Sequence, residues 1–588
     1  MRNLSVVIVL CTEFLLGCQR PHNDVQRAET HLGSGNAWRA AGDYDKAIGE
    51  YDQAIQLDPT SAEAYFRRGL VWNDTRQYEK AIADFTDALR LDPSRAKAYN
   101  NRGIAWDGRN DYEKAIADFT EAIRLDPNAI KAYNNRGGAW NEKKNYDSAI
   151  ADYSEAIHLD PKLAAPYANR GGTWNEKGDF DRAIADCDQA LRLDPKCAKA
   201  YTNRGRARNE KQEFDKAIAD CDQALRLDPN DAKACYNRAF ARYRKKDYDK
   251  AIADYGEAIR LDPTFADAYT NRAVVWDEEG EHDKAIADYS DAIRLGPKLA
   301  RNYTDRGAAW IEKKEYDKAI ADCDKALSFD PNAAKAYNNR GNAWSAKREY
   351  ARAVADYSEA IRLDASDAKS YNNRGIARYR LKDYDKAISD FDDAVHLDPK
   401  NAKTLNNRGG ARCEKLQFDK AIADFDEAIR LDPSSAMAHC NRGLILQIVG
   451  EYGRAIADYG EAVRLDPNSA TPFQGSAWIM STCPDARFRD GKRAVELATK
   501  ACELSGWKDA NCCDTLAAAH AETGNFDAAI KYETDAIERN PNSTAFLAQA
   551  RQRLALYKDH KQYRAPKLLL APTAPGIQLS LLITPPRG

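Results

Sequence analysis

One spacing constrains this chain more than any other feature. Asp-Pro recurs at Asp58-Pro59, Asp92-Pro93, Asp126-Pro127 and Asp160-Pro161, each 34 residues after the last, and the ladder runs on to Asp466-Pro467. Thirteen units of 34 residues fill residues 28–469 without an insertion or a deletion, and only Gly296 and Ala365 break the Asp-Pro pattern. A unit this short cannot bury a core alone, so its apolar face must be covered by the units on either side.

Within one unit, Tyr112, Ala115, Ile116, Phe119, Ala122 and Ile123 keep helical spacing and give one buried stripe, and Pro127 has no N–H with which to continue that helix. All thirteen units carry Ala at the places of Ala115 and Ala122. The place of Gly103 is Gly in eleven units and Ala at Ala239 and Ala273, which marks a close crossing of two helices. With Ala96-Lys97-Ala98-Tyr99-Asn100-Asn101-Arg102-Gly103-Ile104-Ala105-Trp106 ahead of that stripe, the unit resembles the tetratricopeptide repeat. The resemblance implies an all-α, right-handed superhelical solenoid of stacked antiparallel helix pairs with a concave inner face. It also implies protein or extended-peptide partners.

After Asp466-Pro467 the register slips by five residues, and Ala494, Ala501, Ala529 and Ala536 restore the spacing of the Ala columns. The expected organisation is therefore a leader over 1–17, a tether over 18–27, thirteen regular repeats over 28–469 and two divergent repeats over 470–543. A capping helix over 544–564 and an irregular proline-rich tail over 565–588 complete it.

Met1-Arg2 and the apolar run from Leu4 to Leu16 have the form of a secretory signal, and Leu15-Leu16-Gly17-Cys18 is similar to a bacterial lipoprotein cleavage box. The similarity implies a lipid on Cys18 and a place in a bacterial cell envelope. The alternative is a cytoplasmic chain, favoured by Glu13 inside the apolar run and by eleven body cysteines, an odd number for an oxidising compartment. Cys187, Cys221 and Cys323 stand in the aromatic column of Phe119 and read as small core residues.

The chain is 43% hydrophobic and 30% charged with a net charge of -3, and the two signs alternate. That composition supports a folded body and offers no basic footprint for nucleic acid. No apolar run reaches the roughly 18 residues of a membrane span, so a membrane contact is expected only through a lipid anchor. The eight His are scattered, and no phosphate-cradling glycine loop, His-Glu-x-x-His or nucleophile elbow occurs. No cofactor, metal site or catalytic centre is expected.

Two polar ladders remain. Arg at the place of Arg102 and Asp at the place of Asp118 are each present in twelve units, and the first unit lacks both, carrying Ser34 and Glu50. Joint loss in one unit predicts an ion pair between the two helices of each repeat. The second ladder is Asn101, Asn135, Asn169, Asn203, Asn237, Asn271, then Asp305, then Asn339, Asn373, Asn407 and Asn441. It resembles the asparagine ladder that lines the O-linked glycosyltransferase superhelix, which implies amides holding the backbone of an extended peptide. An amide offers donor and acceptor together, so it can pair with a peptide unit of any sequence. The alternative is that these amides bond to the neighbouring helix and hold the repeat spacing. Arg208, Arg242, Arg378 and Arg412 replace the Trp106 column in four units and are candidates to receive acidic segments or to cover apolar surface. The leading reading is a non-catalytic peptide-binding scaffold, and the alternative is a structural envelope component that spaces or packs partners without capturing peptides.

Overall fold

A computed structural model describes residues 22–566; the leader, Cys18 and residues 567–588 lie outside the described residues. The described residues form 31 α-helices, one 3₁₀ turn at Ala486–Phe488 and no strand. They divide into two compact units, one ending at Glu279 and one beginning at Gly280, and in each the helices succeed one another as antiparallel pairs.

The repeat from Ala96 shows why. Its first helix is Ala96–Gly108 and its second Tyr112–Leu125, joined by three residues. Asn110 takes φ 59°, which lets the Asp111 N–H reach back to the Trp106 carbonyl at 2.9 Å and close the first helix. Asp111 then opens the second helix by accepting the Lys114 N–H at 3.3 Å. The left-handed position recurs once in every regular repeat, and it is Gly only at Gly42, Gly178, Gly280 and Gly450.

The Asp of each Asp-Pro has a task of its own. The Asp126 N–H closes the second helix on the Ala122 carbonyl at 2.9 Å, and its carboxylate accepts the Asn128 N–H at 3.1 Å, so it shapes the turn that Pro127 enforces. Asp364 keeps that task beside Ala365, and the Ser366 hydroxyl and N–H hold its carboxyl below the usual range.

Both Ala columns are buried throughout. The Gly103 column exists because of the aromatic column: a Cβ on Gly103 would stand 2.6 Å from the Phe119 ring. Cys187, Cys221 and Cys323 are fully buried in the aromatic column, and burial pushes their thiols well above the ordinary range.

Two boundaries differ from the sequence expectation. The opening helix begins at His22, so residues 22–27 extend it instead of forming a tether, since nothing from Asn23 to Arg27 breaks a helix. The last helix, Thr544–Lys558, stops short of residue 564; His560 has φ 54° and the chain continues without helix to Pro566. At the register slip, the second helix of the pair begins at Gly491, after a loop whose Phe488 packs on Tyr452 with centroids 6.0 Å apart.

Candidate functional site

The Arg ladder is built inward. Arg102 grips Asp118 through Nε and Nη2, both at 2.8 Å, and its Nη1 donates to Thr86 Oγ1 of the preceding repeat at 3.1 Å. Arg238 does the same with Asp254, at 2.9 and 2.7 Å, and with Asp222 behind it at 2.6 Å. Each such guanidinium therefore ties three helices: its own, its partner in the repeat and the second helix of the repeat before. In the first repeat, which lacks the pair, Glu50 is met instead by His31 at 2.6 Å.

Burial and partner number compete at the carboxylates of this ladder. Burial pushes the Asp84 carboxyl up in spite of Arg68. Burial also works against charge at Asp458, yet Arg442 and His439 together hold that carboxyl below the ordinary value.

The four arginines of the Trp column are not surface spots. Arg208, Arg242, Arg378 and Arg412 turn onto the ladder carboxylates Asp220, Asp254, Asp390 and Asp424 at 2.6–2.8 Å, each a second guanidinium on one Asp. They are spent within the array, Arg412 reaching Asp392 of the repeat before as well, and Lys245 beside Arg242 is paired with Asp215.

The Asn ladder lies on the first helices, and its amides reach the repeat before. Asn135 donates to Asn100 Oδ1 at 3.1 Å, Asn169 to Asn134 Oδ1 at 2.8 Å, Asn203 to the Ala168 carbonyl at 2.9 Å and Asn271 to Tyr236 Oη at 2.7 Å. Asn101 bonds within its own helix, to the Lys97 carbonyl at 2.7 Å. These five are half-exposed. Asn237 and Asn339 are buried against the carbonyls of Thr202 and Thr304, and Asn373 against Asn342 Oδ1. Asn407 and Asn441 are 0% and 1% exposed, on Asn372 Oδ1 and Asn406 Oδ1. These buried five are closed to a ligand in this structure, each covered where it bonds to the repeat before. Asp305, the break in the ladder, takes Lys335 at 2.8 Å and Arg301 at 3.4 Å.

A cleft of about 620 Å³ opens in the second unit, between the helices Ala436–Val449, Ala470–Thr482, Ala510–Glu522 and Thr544–Lys558. Leu444, Ile448, Ile479 and Phe546 give it apolar walls, and Gln447, Gln474, Asn511 and Gln549 bring amides to it. Beside it, Arg553 is held by Asp514 at 2.7 Å and Glu533 at 3.2 Å, under the Trp478 ring at 5.6 Å. Glu533 is wholly buried and Arg553 3% exposed. Burial, reinforced by the Asp514 charge, pushes the Glu533 carboxyl up to about 10. Sequence reasoning did not anticipate the cleft or this triad, although Glu533 standing in the aromatic column of its repeat is a visible signal.

Among the described residues no group of three or more His, Cys, Asp or Glu could hold a metal ion, and no helix is long and apolar enough to cross a membrane.

Comparison with known proteins names the array. Tetratricopeptide repeat models match residues 62–95, 96–129, 130–163, 176–232, 232–265, 300–333, 334–367, 368–401 and 436–469. A TPR repeat model matches 35–72 and 411–447. The chain belongs to the tetratricopeptide repeat family, whose members are generally non-catalytic scaffolds that bind protein or peptide partners. No curated protein matches it. Among solved structures, MamA protein is 31% identical over 29% of this chain and 94% of that one, with a TM-score of 0.26. A tetratricopeptide repeat protein from Parabacteroides merdae is 20% identical over 42% and 97%, with a TM-score of 0.34. The Cut9-Hcn1 hetero-tetramer of APC/C is 16% identical over 89% and 96%, with a TM-score of 0.39.

Proposed function

We propose that the chain is a non-catalytic scaffold that captures an extended, sequence-tolerant peptide segment along the face of the first helices in the unit ending at Glu279. The observation that carries this reading is the half-exposed amide row Asn101, Asn135, Asn169 and Asn203, each of which spends one N–H on the fold. The second N–H and the carbonyl oxygen remain for a ligand backbone. The buried amides Asn373, Asn407 and Asn441 serve repeat spacing in the same reading. Replacing Asn101, Asn135 and Asn169 together by Ala is expected to weaken binding on a peptide array by roughly tenfold to a thousandfold, from about 0.5–1.5 kcal/mol per lost bond. The triple Ala variant at Asn373, Asn407 and Asn441 should lower the melting temperature and leave binding in place. If the first variant melts early and binds normally, its amides are spacers, as the buried five are.

A structural role in the envelope, spacing partners without peptide capture, is favoured by the fact that half of the ladder is buried; an array on which the native protein captures nothing supports it. We also propose anchoring at Cys18 in a bacterial envelope, supported by Leu15-Leu16-Gly17-Cys18 after the apolar leader. Native mass should then show loss of residues 1–17 and acyl chains on Cys18, whereas a mass that retains Met1 returns the chain to the cytoplasmic alternative.

A further inference from the structure

We infer that the cleft of the second unit is occupied by the chain's own C-terminal segment, residues 567–588. The chain after the last helix runs along the cleft instead of leaving it. Tyr563 packs beside Trp478, centroids 6.1 Å apart, with the Arg553 guanidinium 5.5 Å from its ring. Arg564 binds Glu522 at 2.6 Å and the Ser481 carbonyl at 3.3 Å. The Ala565 N–H donates to the Thr482 carbonyl at 2.9 Å, and Ala565 and Pro566 themselves form part of the cleft wall. The described chain therefore ends, at Pro566, on the lip of the cleft.

The segment suits the cleft in chemistry and in length. Leu568-Leu569-Leu570 comes first in its sequence and matches the apolar walls in chemistry, and Pro572 and Pro575 disfavour helix and favour an extended backbone. An extended backbone is what the cleft amides can bond in either sense. Residues 567–588 contain no acid, only Lys567 and Arg587, while Asp509 at the cleft has no cationic partner among the described residues. Twenty-two residues reach about 70–80 Å when extended, far more than the cleft requires. Because the segment is tethered at the rim, its effective concentration is high, and it holds the cleft against other extended segments without tight intrinsic affinity.

Full-length protein carrying p-benzoylphenylalanine at the exposed position Gln549 tests this, with a second protein carrying the probe at exposed Lys131 as control. Irradiation of a dilute sample followed by digestion and mass spectrometry should join position 549 to residues 567–588 within one chain, and the control probe should not capture that segment. Replacing Leu568, Leu569 and Leu570 by Asp should cut the yield at least tenfold with far-UV circular dichroism unchanged. Crosslinks that miss 567–588, a yield indifferent to the three substitutions, or products joining two chains would each overturn the inference.

Discussion

At the scale of residues, the Arg and Asp ladders satisfy each other inside the array. Arginines that look like a binding surface in the sequence are turned onto carboxylates of their own repeat, because the Trp column they replace lies against the buried Asp of the ladder. The least comfortable acid is Glu533, with Asp514 sharing Arg553 beside it. Its carboxyl, raised to about 10, keeps a proton that the unfolded chain gives up near the ordinary value of 4.5. Its contribution is therefore full below about pH 4.5 and declines as pH rises towards 10. Glu533→Gln removes that decline. Denaturant melts at pH 5 and pH 9 should show the variant gaining on the native protein by more than about 1 kcal/mol between the two; a constant difference would show that Glu533 is ionised throughout.

At the scale of elements, the helix pair of each regular repeat is closed by a residue in the left-handed region, and in nine of the thirteen that residue has a side chain. A Cβ there crowds the following carbonyl and costs roughly 1 kcal/mol, which glycine avoids at some entropy of the unfolded chain. Leu416, with φ 57° and a side chain 51% exposed, has little packing to lose. Leu416→Gly should stabilise the second unit by about 0.5–1 kcal/mol in chemical denaturation, whereas the same change at a mid-helix position should destabilise. A loss of stability at Leu416 would show that its side chain packs in the folded protein.

At the scale of the whole molecule, successive repeats within each unit are bonded to one another by recurring contacts of the Arg and Asn ladders, so stability is local and propagates along the unit. Asp254 is held by two guanidiniums, Arg238 and Arg242, while Asp118 has Arg102, with Trp106 in the column where Arg242 stands. Arg102→Ala strands a buried carboxylate and should cost roughly 2–3 kcal/mol, against about 1 kcal/mol for Arg238→Ala, whose Asp keeps a partner. Hydrogen exchange should register the first loss as opening of the repeats from Ala62 to Leu125 while distant repeats stay protected. Equal costs at the two sites would mean that Arg242 does not support Asp254.

The repeating columns were legible because each constraint recurs in eleven to thirteen of the thirteen units: Ala where helices touch, Gly at the close helix crossing, Pro after the second helix, and Arg with Asp across the pair. Such constraints act within about 34 residues, where helix period and side-chain volume leave one arrangement. What tertiary structure decided is access. Asn101 and Asn407 occupy the same column, yet one is half-exposed on the Lys97 carbonyl of its own helix and the other is sealed against Asn372 of the repeat before, a difference set by the neighbouring side chains and not by the column. The cleft was equally invisible in the sequence: it joins Arg564 to Ser481 across 83 positions, and a one-dimensional pattern does not record which distant surfaces the divergent end of the array brings together.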